Sequence, residues 1–318
     1  MSPSPILLLN RAEVISVLTW PELIEVTRRA LVELAAPDRL PSLSSQLVVP
    51  GAALHLKAGA LASPPLLSVK ANLRPDRGSS SGAILAFDLE DQRLQAVLAS
   101  SDLTAMRSAA IAAVAARTLV GSGPVTVALV GAGLVAQRVD EALDHLGITS
   151  DLRVWSRTRE RADALVASYH GGVPHQVCES VTAALEGAGL VVSCTPSSTP
   201  LVAAHDVSPG AVILAMGADS PGKRELGAGV LDDADLYADV PDDALRVGEC
   251  SSLRTEDAER VQSIGSLLAA ADAYESRGRA VVFDSVGSSA VDAGAVGLVL
   301  REAQRLGLGQ RIDLDSGR

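Results

Sequence analysis

Positive charge is in short supply in this chain: 27 Lys and Arg stand against 38 Asp and Glu, for a net charge of −11. Nucleic acids and anionic membrane surfaces need a basic face, so neither is expected as a partner. Metal-ligand spacing is missing too. The three cysteines, Cys178, Cys194 and Cys250, make no C-x-x-C pair, and His55, His145, His170, His175 and His205 show no zinc-site spacing, so no metal is expected. An odd cysteine count without a secretory pattern reads as reduced and intracellular. Met1-Ser-Pro-Ser-Pro5 has no basic n-region, and Ile6–Leu9 is too short for a signal core. No charge-free apolar run reaches bilayer-spanning length. These absences predict a soluble cytoplasmic protein. What is present is ample: 318 residues, 47% of them hydrophobic, suit two domains and a large core and exclude a disordered chain.

The chain is organised around Thr126-Val-Ala-Leu-Val-Gly-Ala-Gly-Leu-Val-Ala136. A continuous apolar run of this kind marks a strand buried on both faces of a parallel sheet. It enters Gly131, Gly133 and Ala136, spaced G-x-G-x-x-A, and a helical pattern follows, with Gly147 as its stop. Gly131 permits the strand-to-helix turn, Gly133 lets backbone approach a pyrophosphate, and Ala136 lets helix and strand pack closely. The N–H groups of Leu134, Val135 and Ala136 would face the phosphates at the helix N-terminus. Strand, glycines and helix together predict a dinucleotide site. The alternative is a chance turn in a chain with 27 glycines.

Elsewhere, Thr19 with Trp20-Pro21 starts a helix carrying Leu23, Val26, Ala30, Leu31 and Leu34 on one face. Between Leu47 and Asp88 the pattern becomes short alternating strands, with Glu90-Asp-Gln-Arg93 as a hairpin turn and Asp76–Gly82 as a surface loop. An Ala-rich helix runs from Asp102 to Gly121-Ser-Gly123, the expected domain boundary. Beyond it, strands alternate with helices: Leu152–Ser156, Leu190–Cys194, Ala211–Met216 and a strand near Asp235. The expected fold is therefore α/β: a Rossmann-type doubly wound parallel sheet over 121–287, plus an α+β substrate and dimerisation domain over 1–120, completed by 288–318 through a final helix that ends at Gly307. Loops beyond strand C-termini carry the ligand in such sheets, which places Thr195, Asp219 and the loop after Trp155 on the cofactor side.

An NAD-specific site would put Asp or Glu at the end of the second strand, on the ribose 2′-OH. Ser156-Arg157-Thr158-Arg159 stands there instead. Arginine grips phosphate bidentately, so NADP(H) is favoured over NAD(H). The plainer account of Arg157 and Arg159 is two solvated residues at a helix start.

Four blocks in order, Ser68-Val-Lys-Ala-Asn72, Leu103-Thr-Ala-Met-Arg-Ser-Ala-Ala110, the glycine-rich segment and Met216-Gly-Ala-Asp-Ser-Pro-Gly-Lys-Arg-Glu-Leu226, resemble the ornithine cyclodeaminase/mu-crystallin family. Gly248-Glu249 and Phe283-Asp-Ser-Val-Gly-Ser-Ser-Ala-Val-Asp292 are further echoes. The resemblance implies a homodimer and a small amino or cyclic imino acid held against a nicotinamide. It puts the substrate carboxylate on Lys70 and Arg107, the lysine also near the reacting carbon. It makes Asp219 the acid/base group, and adds Met216, Ser285 and Gly287 to the cofactor residues. The residue types suit that chemistry: a Lys/Arg carboxylate anchor, a proton-transferring side chain and a nicotinamide held in contact. Reduction of a ketimine or its reverse is the first expectation. Ornithine cyclodeaminase, which converts ornithine to proline and ammonia, is the second, and a weakly catalytic NADP-binding protein the third.

One position departs from the family pattern. Gln46 stands where an arginine usually gives a second carboxylate ligand, and Lys57, roughly where a proline is common, is the candidate to restore that charge. Plainer accounts accompany each residue. Lys70 would ordinarily be a solvated edge charge, and Arg107 an exposed helix residue, although a cation near a helix N-terminus hints at a bound anion. Asp219 would be a turn residue, Lys223 and Glu225 surface ion pairs, Cys194 core packing, and Asp232, Asp233, Asp235, Asp239, Asp242 and Asp243 a solvated acidic face.

Overall fold

The computed structural model describes residues 5–75, 80–121, 123–270 and 274–314. Most of the expected Asp76–Gly82 loop, Ser122 of the expected boundary and Met1–Ser4 lie outside the described residues; Ser81 and Gly82 already belong to a strand.

The chain begins with β1 (Ile6–Leu9), α1 (Arg11–Ser16) and α2 (Trp20–Ala35). Strands β2 (Ser42–Val49), β3 (Ala52–Leu61), β4 (Leu66–Pro75), β5 (Ser81–Asp88) and β6 (Arg93–Ala99) lead into α3 (Ser101–Leu119). Next come β7 (Val125–Val130), α4 (Leu134–His145), β8 (Thr149–Trp155), α5 (Arg159–Ser168), β9 (His175–Val177), α6 (Val181–Leu185), β10 (Leu190–Ser193) and β11 (Val212–Ala215). Then follow β12 (Asp235–Ala238), α7 (Pro241–Val247), β13 (Val261–Ser263), α8 (Ile264–Ala270), β14 (Val281–Asp284), α9 (Ser289–Leu306) and β15 (Gln310–Ile312). Contacts divide the chain into two compact units, Met1–Arg107 with Ser288–Arg318, and Ser108–Gly287. The expected boundary at Gly121-Ser-Gly123 falls inside the second unit, after α3, because most of that Ala-rich helix groups with the residues that follow it.

In the first unit seven strands form one sheet, ordered β15-β1-β6-β5-β4-β3-β2. Neighbours are antiparallel except β1 and β6. Register decides which side chains share a face. Lys57 lies opposite Lys70, and His55 lies opposite both Gln46 and Asn72. With a side-chain period of two, Gln46, His55, Lys57, Lys70 and Asn72 therefore share one face. The same face carries Ser68 and Gly59, where the start of α9 docks: Ser289 Oγ donates to Ala58 O at 2.7 Å, and Ser68 Oγ donates to Ser289 O at 3.2 Å. A Cβ on Gly59 would fall on the Ser289 side chain. Small residues at this crossing bring α9 down onto β3 and β4, and α2 covers it with Ala30, which packs against Gly294. Gly307, at φ +67, ends α9 as expected.

In the second unit the sheet is eight-stranded and parallel throughout, in the order β13-β12-β14-β11-β10-β7-β8-β9. Strands β10, β11 and β14 are buried at every position, including Ser193 and Asp284 at the ends of their apolar runs, as central strands covered on both faces are. Chain order reverses on either side of β7, so the loops after β7, β8 and β10 open onto one crevice at the topological switch point. Among the described residues no helix is long and apolar enough to cross a membrane.

Candidate functional site

In the second unit the site is built on the turn after β7. Gly131 has φ +118, and its N–H donates to Trp155 O at 2.8 Å. A Cβ there would lie 2.8 Å from Cys194 O and 3.2 Å from Thr195 Cγ2, so only glycine fits both the backbone and the space. Gly133 caps α4 without a side-chain hydrogen bond. The first-turn N–H groups, those of Leu134, Val135 and Ala136, have no partner within the helix and face outward with the positive dipole end. Ala136 itself is fully buried, the close-packing role expected of it. A cavity of about 200 Å³ adjoins this turn, walled by Gly131–Gly133, Trp155–Thr158, Arg161, Cys194–Ser197, Thr199 and Leu201. A cradle that a side chain would fill, an open helix N-terminus and an adjoining cavity are the features a dinucleotide pyrophosphate requires.

Gly131, Gly133, Ser156, Arg157, Thr158 and Thr195 are thus brought together. Arg159 is not one of the group. It turns to the exposed surface, where it pairs with Glu179 and, at 3.7 Å, with Asp163. Arg161 takes its place in the cavity wall beside Arg157. Residues two apart on a helix point in nearly opposite directions, so α5 sends Arg159 outward and Arg161 in. Among the described residues neither Arg157 nor Arg161 has an ion-pair partner.

Met216, Asp219, Ser285 and Gly287 stand at the ends of neighbouring strands rather than on this cavity. Met216 N–H donates to Ser193 O at 2.8 Å. The Asp219 carboxylate is paired with Lys223 and also accepts from Ser220 Oγ at 3.2 Å. Ser285 Oγ and Gly287 N–H donate to Asp239 Oδ2 at 2.8 and 2.9 Å. Two expectations are corrected here. Glu225 is no surface residue but is fully buried, and Asp239 belongs to no solvated face, being 1% exposed. Each is drawn inside by backbone donors that a carboxylate satisfies.

The first unit holds a second cluster. Lys70 Nζ lies 2.7 Å from Asp292 Oδ2, and Arg107 Nε lies 2.8 Å from Asp292 Oδ1, with all three side chains buried. An ammonium has three N–H donors and a guanidinium five, so both cations have donors beyond the one directed at Asp292. Burial, then the neighbouring Arg107 charge, pushes the Lys70 ammonium down to about 7, even though Asp292 pulls the other way. Burial works against the Asp292 carboxylate, but Arg107, Lys70 and Lys57 together hold it below its ordinary range. Lys57 acts electrostatically on both partners from the adjacent strand, as its register opposite Lys70 requires. Gln46 lies on the same sheet face but out on β2, exposed.

Asp292 went unsuspected in the sequence. An aspartate in the first turn of a helix is accounted for by the helix dipole, so nothing singles it out until α9 is seen against β4. The available clue was that two buried cations on one sheet face need an acid partner.

Comparison with known proteins shows the family. The model of the ornithine cyclodeaminase/mu-crystallin family matches residues 72–305. The mouse (Mus musculus) ketimine reductase mu-crystallin is 31% identical over 221 residues, 70% of this chain and 69% of that protein. The L-lysine cyclodeaminase of Streptomyces rapamycinicus is 33% identical over 246 residues, 74% of this chain and 69% of that protein. In fold, a solved archaeal alanine dehydrogenase dimer with bound NAD superimposes with a TM-score of 0.90 at 23% identity, covering 97% of this chain and 99% of its own. The chain belongs to the ornithine cyclodeaminase/mu-crystallin family.

Proposed function

We propose that this chain is a nicotinamide-dinucleotide-dependent enzyme that reduces the C=N bond of a small α-imino acid, or runs the reverse oxidation of the amino acid. The observation that carries the proposal is the buried cluster in which Lys70 and Arg107 meet the single carboxylate of Asp292, with Lys57 acting on it electrostatically. Desolvated cations in excess of their acid partner suit a ligand carboxylate. Lys57 supplies charge that Gln46 cannot.

Gly131, Gly133 and the first turn of α4 would hold the pyrophosphate, with Thr195 beside them. Bound there, a nicotinamide supplies or accepts a hydride. Lys70 and Arg107 would orient the substrate through its carboxylate. With the Lys70 ammonium held near 7, its Nζ is able to give up or take a proton at neutral pH. Asp219 is the proposed second proton carrier, its carboxylate in contact with Lys223. NADP(H) is the proposed form of the dinucleotide. No acid stands at the end of β8, and Arg157 and Arg161 both face the cavity.

Cyclodeamination is the second reading, favoured by the likeness to the lysine cyclodeaminase. The same anchor and proton carriers would serve, with no net change in the cofactor. Two incubations separate them: a cyclic ketimine with NADPH, followed by NADPH absorbance, and ornithine or lysine with NAD+, followed by ammonia. Ketimine-dependent NADPH loss supports the first reading. Ammonia and a cyclic amino acid without net NADH establish the second, and neither signal from any member of an amino- and imino-acid panel would refute both.

A homodimer is part of the proposal. β2 is an edge strand of its sheet, and Leu43, Leu47 and Val48 on it are 60%, 57% and 72% exposed. An apolar strand with unpaired backbone groups is a surface for a second copy of the chain. Light scattering should give twice the chain mass, and Leu47→Lys with Val48→Lys should halve it. A monomeric wild-type chain would remove this part of the proposal.

A further inference from the structure

Along the carboxyl edge of the second unit's sheet, four buried carboxylates each hold the backbone of a neighbouring loop. Glu225 holds groups from two strand ends at once. Its Oε1 accepts from Thr195 N–H at 2.6 Å, and its Oε2 accepts from Gly217 N–H at 2.8 Å and Ser193 Oγ at 2.9 Å. Glu249 in turn accepts from the N–H groups of Glu225 at 2.6 Å and Leu226 at 3.2 Å. Asp284 accepts from Cys250 N–H at 2.8 Å, and Asp239 receives the loop after β14 through Ser285 and Gly287. Among the described residues no Lys or Arg forms an ion pair with any of the four. Burial pushes the Glu225 and Asp284 carboxyls up to about 7, with Glu249 adding to both.

The donors on Glu225 come from two different loops. Ser193 and Thr195 bracket the end of β10, and Thr195 lines the dinucleotide cavity. Gly217 follows β11 and begins the segment that carries Asp219. Contact between these loops is too close for any other residue at 217, since a Cβ would fall on Thr195 O and on the Glu225 carboxylate itself. We infer that Glu225 is a positioning residue, whose single carboxylate locks the loop after β10 to the loop after β11 and so fixes Thr195 and the Met216–Asp219 segment for cofactor binding and turnover. The inference rests on the dinucleotide-dependent activity proposed above and adds a residue to it.

The test is Glu225→Gln, with Ser193→Ala and Gly217→Ala beside it. Glutamine keeps the shape but has one acceptor oxygen, so its NH₂ must face either Thr195 N–H or the Gly217–Ser193 pair. Dinucleotide Kd, measured by fluorescence titration, should rise about 10- to 100-fold, which corresponds to one hydrogen bond to a charged group, and kcat should fall with it. Ser193→Ala leaves both backbone bonds in place and should stay within about threefold. If Glu225→Gln does not fold, Gly217→Ala forces the same two loops apart and should show the same loss of affinity. A Glu225→Gln enzyme, or in its absence a Gly217→Ala enzyme, with wild-type dinucleotide Kd and kcat would overturn the inference, whatever happened to its Tm. A wild-type chain that bound no dinucleotide would instead sink the proposed activity, and this role with it.

Discussion

Replacing Asp292 with asparagine keeps the side chain's volume and removes the one negative charge that Lys70 and Arg107 share at 2.7 and 2.8 Å. Breaking a buried ion pair by deleting one partner typically costs about 3–5 kcal/mol, because the other charge is left desolvated and alone. One carboxylate here faces two cations, so a loss in the upper half of that range is expected near pH 6. The pH dependence has a defined sign. The folded Lys70 ammonium titrates at about 7, far below 10.5, so the native state loses stability as pH falls through that interval. Asp292 raises the Lys70 value, so Asp292→Asn lowers it further and carries the loss on below pH 7. Near pH 9 Lys70 is already neutral, and the variant's penalty should shrink toward that of Arg107 alone. Urea titration at the two pH values measures the difference directly. Asp292→Ala should in addition recover stability in added formate, which can occupy the vacated position. Unfolding midpoints equal to wild type at both pH values would refute the pairing on which the proposed carboxylate site depends.

Gly131→Ala should abolish dinucleotide binding, seen as loss of the fluorescence titration, since its Cβ would press on Cys194 O at 2.8 Å and φ is +118; binding retained would mean that the turn is not the pyrophosphate cradle. Arg157→Ala and Arg161→Ala should each weaken NADPH about tenfold or more and leave NADH almost unchanged; equal effects on both cofactors would end the 2′-phosphate assignment. Asp219→Asn should remove turnover while dinucleotide affinity persists, and unaltered kcat would take Asp219 out of the chemistry. Asp284 is raised from 3.8 to about 7 by burial, so its contribution to stability is present below the lower value and is lost as pH rises through the upper one. Asp284→Asn should therefore flatten the Tm profile over that window, and an unchanged slope would show that this carboxyl does not titrate there.

The parts of the fold governed by local pattern were readable in advance. Strand β7, its glycines and α4 announce themselves because periodicity and turn chemistry agree over one short stretch. The strands around Lys70 are equally plain, as are the start of α2 at Thr19 and the stop of α9 at Gly307. The three-residue strands β9, β13 and β15 went unread, since each is too short for alternation to register and pairs only because a neighbour is in place. In the site, Arg161 was missed in favour of Arg159 because linear order along a loop says little about which way a helix will turn its first residues. Glu225 and Asp239 were taken for surface charges because burial of an acid depends on donors from distant loops, which no local pattern reports. Asp292 was missed for a related reason, its partners lying on β4 and α3.

The return of α9 to the first unit has a consequence for how the molecule is made. The carboxylate that neutralises Lys70 and Arg107 is translated some two hundred residues after them. Emerging from the ribosome, the amino-terminal sheet would carry two unmatched cations in its interior while the intervening module, whose strands all pair among themselves, is free to fold first. The Asp292 contacts to Lys70 and Arg107 thus form only after the whole second unit has been made, and a ribosome stalled before Ser288 would display a chain with a complete second unit and no Asp292 for those two cations.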